Sequence, residues 1–163
     1  MTILSLETVA GFLDGAVDVR RRDGSIQPLR YPAPEAPYYD PFTRFVASCP
    51  SGVRLRMISD ATSIRLKTQQ RMAFSAAEGP PRGVYDLYID GSLARRARAE
   101  GGATMTPDGG LMGDERAVVT FTDLPPGEKR IELWLPQAGT VSILEVDLGG
   151  GRAAPWPDTR RTI

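Results

Sequence analysis

The chain has 163 residues, of which 41% are hydrophobic and 25% are charged, as in a single globular domain rather than a disordered chain. Its 20 basic and 20 acidic residues cancel, so charge does not favour nucleic acid or an anionic membrane as a partner. Residues 1–7 lack the features of a signal peptide, and no apolar run is long enough to span a membrane. Together with the single cysteine, these features predict a cytoplasmic protein.

The first third of the chain contains two turn-rich segments. Residues 1–12 fit a short helix or a strand equally well, and no other part of the sequence is predicted to be helical. Residues 16–20 and 26–29 flank Asp23-Gly24-Ser25, which predicts a hairpin. Residues 31–41 are rich in proline and tyrosine, which predicts a stiff, extended loop.

Apolar and polar residues alternate through the middle of the chain, as in strands with one buried face. Residues 52–57 and 62–67 alternate on either side of Ser59-Asp60-Ala61 and predict an antiparallel hairpin. A second hairpin is predicted where residues 84–89 meet Asp90-Gly91, with residues 92–98 as its exposed return strand.

Further strands are predicted at residues 117–121, 129–135 and 140–148. Eight to ten short strands separated by turns indicate an all-β fold, a two-sheet antiparallel β-sandwich or jelly roll over residues 1–148. Residues 149–163 begin with three glycines and continue with proline and tryptophan, a composition typical of a linker.

Hydrolytic catalysis by this chain alone is not expected, because the sequence contains no histidine. A serine or cysteine nucleophile usually needs a neighbouring base, most often histidine. The segment Asp90-Gly91-Ser92-Leu93 has the letters of the Gly-Asp-Ser-Leu hydrolase motif in another order, and we interpret it as a hairpin turn. The acidic residues lie mainly in turns or on polar strand faces, which argues against a catalytic carboxylate pair. No catalytic residue and no cofactor is predicted.

No metal site is predicted either. The only cysteine, Cys49, excludes an internal disulfide and a cysteine-based metal site, and its expected role is that of a small buried hydrophobic residue. Asp108, Asp114 and Glu115 form the one candidate cluster for calcium, although their spacing is irregular.

Several aromatic residues are predicted to lie outside the core. In residues 129–135, Ile131 and Leu133 share one face, which places Trp134 on the opposite, polar face. A ring in that position requires a ligand, a neighbouring domain or a covering loop, and residues 31–42 are the candidate loop. The predicted ligand or interdomain surface comprises Trp134, Tyr88, Arg130, Tyr38 and Tyr39.

Residues 124–137 read Leu-Pro-Pro-Gly-Glu-Lys-Arg-Ile-Glu-Leu-Trp-Leu-Pro-Gln, and residues 15–19, 27–32, 51–55 and 85–91 carry weaker similarities of the same kind. Together they resemble the N-terminal domain of certain bacterial SGNH (GDSL-type) esterases. In that group, a jelly-roll sandwich shaped like a carbohydrate-binding module precedes an α/β hydrolase domain that carries Ser, Asp and His.

This resemblance implies a non-catalytic accessory domain whose partner is a C-terminal SGNH hydrolase domain of the same protein. Residues 149–163 are then the linker toward that domain. Two alternatives remain open at this stage. One is an autonomous carbohydrate-binding module that uses the surface aromatic residues, and the other is an enzyme that uses carboxylates alone.

Overall fold

A computed structural model describes residues 1–73 and 83–157, and it confirms the predicted all-β sandwich. Two α-helices, α1 (Leu6–Phe12) and α2 (Pro41–Ser48), and one 3₁₀ helix (Ala33–Tyr38) accompany the strands in these residues. The strands are β1 (Leu13–Asp14), β2 (Asp18–Arg22), β3 (Ser25–Leu29), β4 (Arg54–Ser59), β5 (Ile64–Met72), β6 (Val84–Ile89), β7 (Ser92–Arg98), β8 (Glu100–Gly101), β9 (Ala103–Met105), β10 (Leu111–Met112), β11 (Arg116–Phe121), β12 (Lys129–Trp134), β13 (Thr140–Asp147) and β14 (Ala153–Pro155).

The strands of the described residues form two sheets. The six-stranded sheet has the order β1-β4-β12-β6-β7, with β14 also paired to β4. The eight-stranded sheet has the order β10-β9-β5-β13-β3-β2, with β11 beside β5 and β8 beside β11. Pairing is antiparallel except between β5 and β9, which run parallel. None of the helices in the described residues is long and apolar enough to cross a membrane.

The hydrophobic core lies between the two sheets. Burying an aliphatic side chain there contributes about 1.5–3 kcal/mol, so these residues dominate the stability of the fold. Both sheets supply alternate residues to the core, as the period-two pattern predicts. Its members include Leu55, Met57, Tyr85, Leu87, Ile131 and Leu133 from the six-stranded sheet and Ile64, Leu66, Val119, Phe121, Ile143 and Val146 from the eight-stranded sheet.

One buried hydrogen bond joins the two sheets through the core. The amide nitrogen of Gln70 on β5 donates to the hydroxyl of Tyr85 on β6 over 2.6 Å and also donates to Thr68 over 2.9 Å. Burial raises the pKa of the Tyr85 hydroxyl well above its ordinary value. Tyr85 therefore stays protonated, and its hydroxyl is satisfied inside the core.

The two hairpins with Asp-Gly turns are confirmed. Strands β2 and β3 pair across Asp23-Gly24, and β6 and β7 pair across Asp90-Gly91. Asp90 and Gly91 both have positive φ angles, 50° and 84°, as a tight hairpin turn requires. Residues 90–93, which contain the residues of the Gly-Asp-Ser-Leu motif in another order, thus form a turn and the start of an edge strand.

The predicted hairpin of residues 52–57 and 62–67 is wrong. Its first strand, β4, belongs to the six-stranded sheet, whereas its second, β5, belongs to the eight-stranded sheet. The turn at Ser59-Asp60-Ala61 carries the chain across the sandwich, with the Ser59 hydroxyl accepting from the amide of Ala61. Alternation identifies which face of a strand is buried but not which strand lies beside it.

The prediction of an extended loop at residues 31–41 is also wrong, because this segment contains the 3₁₀ helix and the start of α2. The carboxylate of Asp40 caps α2 by accepting from the amides of Phe42 and Thr43, and Pro41 occupies the first helical position. An Asp-Pro pair is a recognised helix start, so the sequence contained this signal. At the N-terminus, the ambiguous segment forms α1, capped by Ser5.

Part of the predicted linker is strand. β14 pairs with β4 in the register Ala154 to Ile58, so ordered structure of the six-stranded sheet extends to Pro155. Residues 158–163 lie outside the described residues.

Gly139, which immediately precedes β13, lies unusually close to the backbone of β5, and a substitution can test this contact. Its φ is +115°, and a Cβ placed there would lie 2.6 Å from the Cα of Met72 and closer still to the carbonyl oxygen of Arg71. Gly139→Ala is expected to lower the free energy of unfolding by about 3 kcal/mol, because backbone atoms of β5 must move. Urea denaturation measures this change.

Gly150→Ala is the matched control, since no described atom lies within 4 Å of the Cβ it would add. Equal stability of the two variants would contradict the close approach of Gly139 to β5.

Candidate functional site

The structure brings Trp134 and Tyr88 together on the outer face of the six-stranded sheet. Trp134 lies on β12 and Tyr88 on the neighbouring strand β6. Their rings meet edge to face, with centroids 6.4 Å apart and planes inclined at 63°. Both side chains are half-buried, so part of each ring remains accessible. We call this outer face the tryptophan face; it is formed by Arg54, Arg56, Tyr88, Arg130, Trp134 and Trp156.

A cleft of about 660 Å³ opens beside the two rings. Its wall includes Pro136, Asp86 and Arg96 in addition to Trp134 and Tyr88. A volume of this size falls within the range of small-ligand sites. The cleft therefore combines accessible aromatic surface with charged groups.

Paired charges surround the rings. The guanidinium group of Arg54 stacks over Trp134, 4.5 Å from the ring centroid. The same group pairs with Asp14 at 2.7 Å and with Glu132 at 3.0 Å. Stacking by a cation that is already paired holds the Trp134 ring in one orientation. One side of the ring is therefore occupied from within the chain.

Arg96 binds the carboxylate of Asp86 with two hydrogen bonds, of 2.6 and 2.9 Å. These bonds hold the pKa of Asp86 below its ordinary value of 3.8 and raise the pKa of Arg96. The wall of this cleft therefore carries one acidic and one basic group whose charges cancel at physiological pH.

Arg130 lies at the other end of the tryptophan face. Its guanidinium group is 5.5 Å from the ring centroid of Trp156, and that of Arg56 is 4.4 Å from the same ring. The Nε atom of Arg56 is buried and has no hydrogen-bond partner among the described residues. The linker prediction for residues 149–163 missed this contact of Trp156. The available signal was the tryptophan itself, because this residue is highly buried on average and is uncommon in a solvated linker.

Tyr38 and Tyr39 do not join this face. The 3₁₀ helix that ends at Tyr38 contacts β2, in the eight-stranded sheet, and Tyr39 follows it directly. Tyr39 packs edge to face on Tyr31 at 5.5 Å and donates a hydrogen bond to Glu35, which raises the pKa of Tyr39. Tyr38 is 87% exposed. The expectation that this segment covers Trp134 and Tyr88 is therefore wrong.

The candidate calcium ligands each have other partners. Asp108 accepts from the Thr106 hydroxyl, Asp114 accepts from the amide of Arg116, and Glu115 pairs with Arg71 at 2.8 Å. Within residues 1–73 and 83–157, no group of three histidine, cysteine or acidic side chains is positioned to hold a metal ion. Cys49 is buried, and burial raises the pKa of its thiol.

No known family model matches the chain, and a search of curated proteins finds no significant relative. Solved structures do match. The chain is similar to the salicylyl-acyltransferase SsfX3 from a tetracycline biosynthetic pathway, with 26% identity and a TM-score of 0.73 over 90% of this chain and 39% of that protein. It is also similar in fold to a GDSL-like lipase from Bacteroides ovatus ATCC 8483, with 15% identity and a TM-score of 0.64 over 94% of this chain and 42% of that protein.

These structural neighbours are therefore an acyltransferase and a GDSL-type lipase. The chain spans about two-fifths of the length of each.

The Asp86–Arg96 pair generates a pH prediction. Because the folded-state pKa of Asp86 lies below 3.8, the pair stabilises the protein above that pH, and its contribution is lost as the pH falls through the lower folded-state pKa. Asp86→Asn is expected to reduce the free energy of unfolding by up to about 1 kcal/mol near neutral pH, since the pair is partly exposed.

The difference between Asp86→Asn and the parent chain should disappear in acid, as measured by urea denaturation across the pH range. Glu128→Gln is the control, because Glu128 is exposed and has no ion pair among the described residues. A difference that persists unchanged in acid would argue against an electrostatic origin.

Proposed function

We propose that this chain is a non-catalytic accessory β-sandwich of an SGNH-type esterase or acyltransferase. The catalytic Ser, Asp and His would belong to a C-terminal hydrolase domain of the same protein. The observation that carries this proposal is the match to SsfX3, which covers 90% of this chain but 39% of that protein. The absence of histidine is consistent with it, since acyl transfer by a Ser-His pair requires residues from elsewhere.

The tryptophan face is the surface that we propose contacts the hydrolase domain. Aromatic and arginine side chains are enriched at protein interfaces, and this face presents Trp134, Trp156, Arg56 and Arg130.

The path of the chain after β13 also supports contact through the tryptophan face. β14 adds to the six-stranded sheet and places Trp156 against Arg56 and Arg130. Residues 158–163 can extend over at most about 20 Å. A domain continuing from residue 163 would therefore begin within that distance of Pro157, the residue that follows Trp156.

Trp134→Ala tests the interface by comparing two contexts, this chain alone and the same chain followed by its hydrolase domain. If Trp134 contacts that domain, the substitution should cost about 2 kcal/mol more in the longer protein, because truncating a buried interface ring removes packing in both partners. Chemical denaturation of both proteins provides the measurement.

Tyr38→Ala is the matched control, because Tyr38 is exposed on the segment that contacts the other sheet. The same protein pair tests catalysis, since only the longer protein should hydrolyse aryl esters. The proposal would be contradicted by equal costs of Trp134→Ala in both contexts, or by a gene without a hydrolase-coding region beyond codon 163.

A second candidate function, an autonomous carbohydrate-binding module, is favoured by one observation, the cleft beside Trp134 and Tyr88. Sugars stack on accessible aromatic faces, and one face of the Trp134 ring is already covered by Arg54. Binding through the remaining surface would be weak, in the millimolar range.

Titration with neutral oligosaccharides, followed by tryptophan fluorescence, tests this alternative. Saturable binding that is reduced about fivefold by Tyr88→Ala and left unchanged by Tyr38→Ala would support a sugar site, since one ring contact contributes about 1 kcal/mol. Absence of saturation at millimolar sugar would exclude it.

A further inference from the structure

A second cleft lies on the outer face of the eight-stranded sheet, away from the tryptophan face. Its volume is about 280 Å³, and helix α2 forms one wall. Four arginines line it, Arg20, Arg22, Arg44 and Arg71, together with one carboxylate, Glu115. We call it the arginine cleft. Its charge contrasts with the formal net charge of zero for the whole chain.

The positive charge of this cleft is largely unpaired. Arg71 pairs with Glu115 at 2.8 Å, which neutralises both. Arg20, Arg22 and Arg44 have no carboxylate partner in residues 1–73 and 83–157. Like charges gathered in a concave site attract anions more strongly than scattered surface charges do.

The floor of the cleft is polar and held in place. The Arg20 guanidinium group donates to the hydroxyl of Tyr31 at 3.2 Å and, more weakly, to the Oε1 atom of Gln27 at 3.4 Å. The Tyr31 and Ser48 hydroxyls lie 3.3 Å apart, and the Ser48 hydroxyl donates to the carbonyl of Arg44 at 2.7 Å. These bonds fix Arg20 and the floor before any ligand arrives.

Gln27 adds a hydrogen-bond donor to the lining of the cleft. It lines the cleft although only 8% of its surface is exposed. Its Oε1 atom accepts from Arg20, whereas its Nε2 group has no hydrogen-bond partner among the described residues. The Nε2 group is not a buried unsatisfied atom, so its N–H donors reach solvent and are available to an oxygen-rich ligand.

We propose that the arginine cleft binds a small hydroxylated anion, such as a sugar acid or a sugar phosphate. Arginine forks match the oxygens of carboxylate and phosphate groups, so Arg20, Arg22 and Arg44 would hold the anionic group. Hydroxyls of Ser142 and Thr140, which also line the cleft, can bond the ligand's own hydroxyls. The volume accommodates about one sugar ring.

A neutral glycan fits this cleft less well. Its aromatic residues are Tyr31, which is 3% exposed, and Phe45, which is half-buried, so only part of the Phe45 ring is available for stacking. Recognition is therefore expected to depend mainly on charge and hydrogen bonds. This inference does not depend on the proposed hydrolase partner.

Calorimetric titration of the full chain at low salt with glucuronate, glucose 6-phosphate and glucose tests the proposal. We expect saturable binding of at least one of the two acids, weakened by added salt, and no binding of glucose. Arg22→Gln and Arg44→Gln should each weaken binding about tenfold, because each removes one charge-assisted hydrogen bond. Both residues are exposed and unpaired among the described residues, so the fold should be preserved.

Arg65→Gln is the matched control, since Arg65 is an exposed arginine on β5 that does not line the cleft. Binding of one acid and not the other would support the proposal and identify the preferred oxyanion. Three results would overturn it: no saturation by either acid at millimolar concentration, equal binding of glucose, or equal effects of Arg65→Gln and the two cleft substitutions.

Discussion

Strand β12 lies between β4 and β6 at the centre of the six-stranded sheet, and its inward side chains Ile131 and Leu133 are fully buried. Because side chains alternate along a strand, burying these two residues places Glu132 and Trp134 on the outer face. A shift of the strand by one residue would exchange the two sets and expose the core residues. The position of Trp134 beside Tyr88 therefore follows from the packing of the core.

The two outer faces of the sandwich carry different chemistry. On the six-stranded sheet, the charges around the aromatic rings are largely paired, as in Arg54 with Asp14 and Glu132. On the eight-stranded sheet, Arg22 and Arg44 face a cleft without carboxylate partners in the described residues. Paired charges beside rings suit contact with another protein surface, whereas unpaired arginines suit an anion. A two-layer fold keeps these surfaces apart, so the proposed domain contact and the proposed anion site do not overlap.

Several features were missed because they depend on contacts that local sequence does not encode. The alternation of apolar and polar residues correctly located strands β4 and β5 in the sequence. It also suggested that they pair, although they belong to opposite sheets. Helix α2 is too short to show a convincing helical period, and only its Asp40-Pro41 start was visible. The arginine cleft was not anticipated, because Arg20 and Arg44 are distant in sequence and meet only through the docking of α2 on the sheet.

The sequence by itself determined the fold class, the buried face of most strands and two hairpin turns. It also showed that the chain has no histidine to act as a catalytic acid or base. These properties are local, since periodicity, turn preference and residue type are read within a few positions. Tertiary structure decided which strands are neighbours, that Trp156 packs on Arg56, and that Tyr38 lies away from Trp134. Those outcomes depend on long-range packing of the two sheets, in which residues far apart in the chain become neighbours only when the core closes.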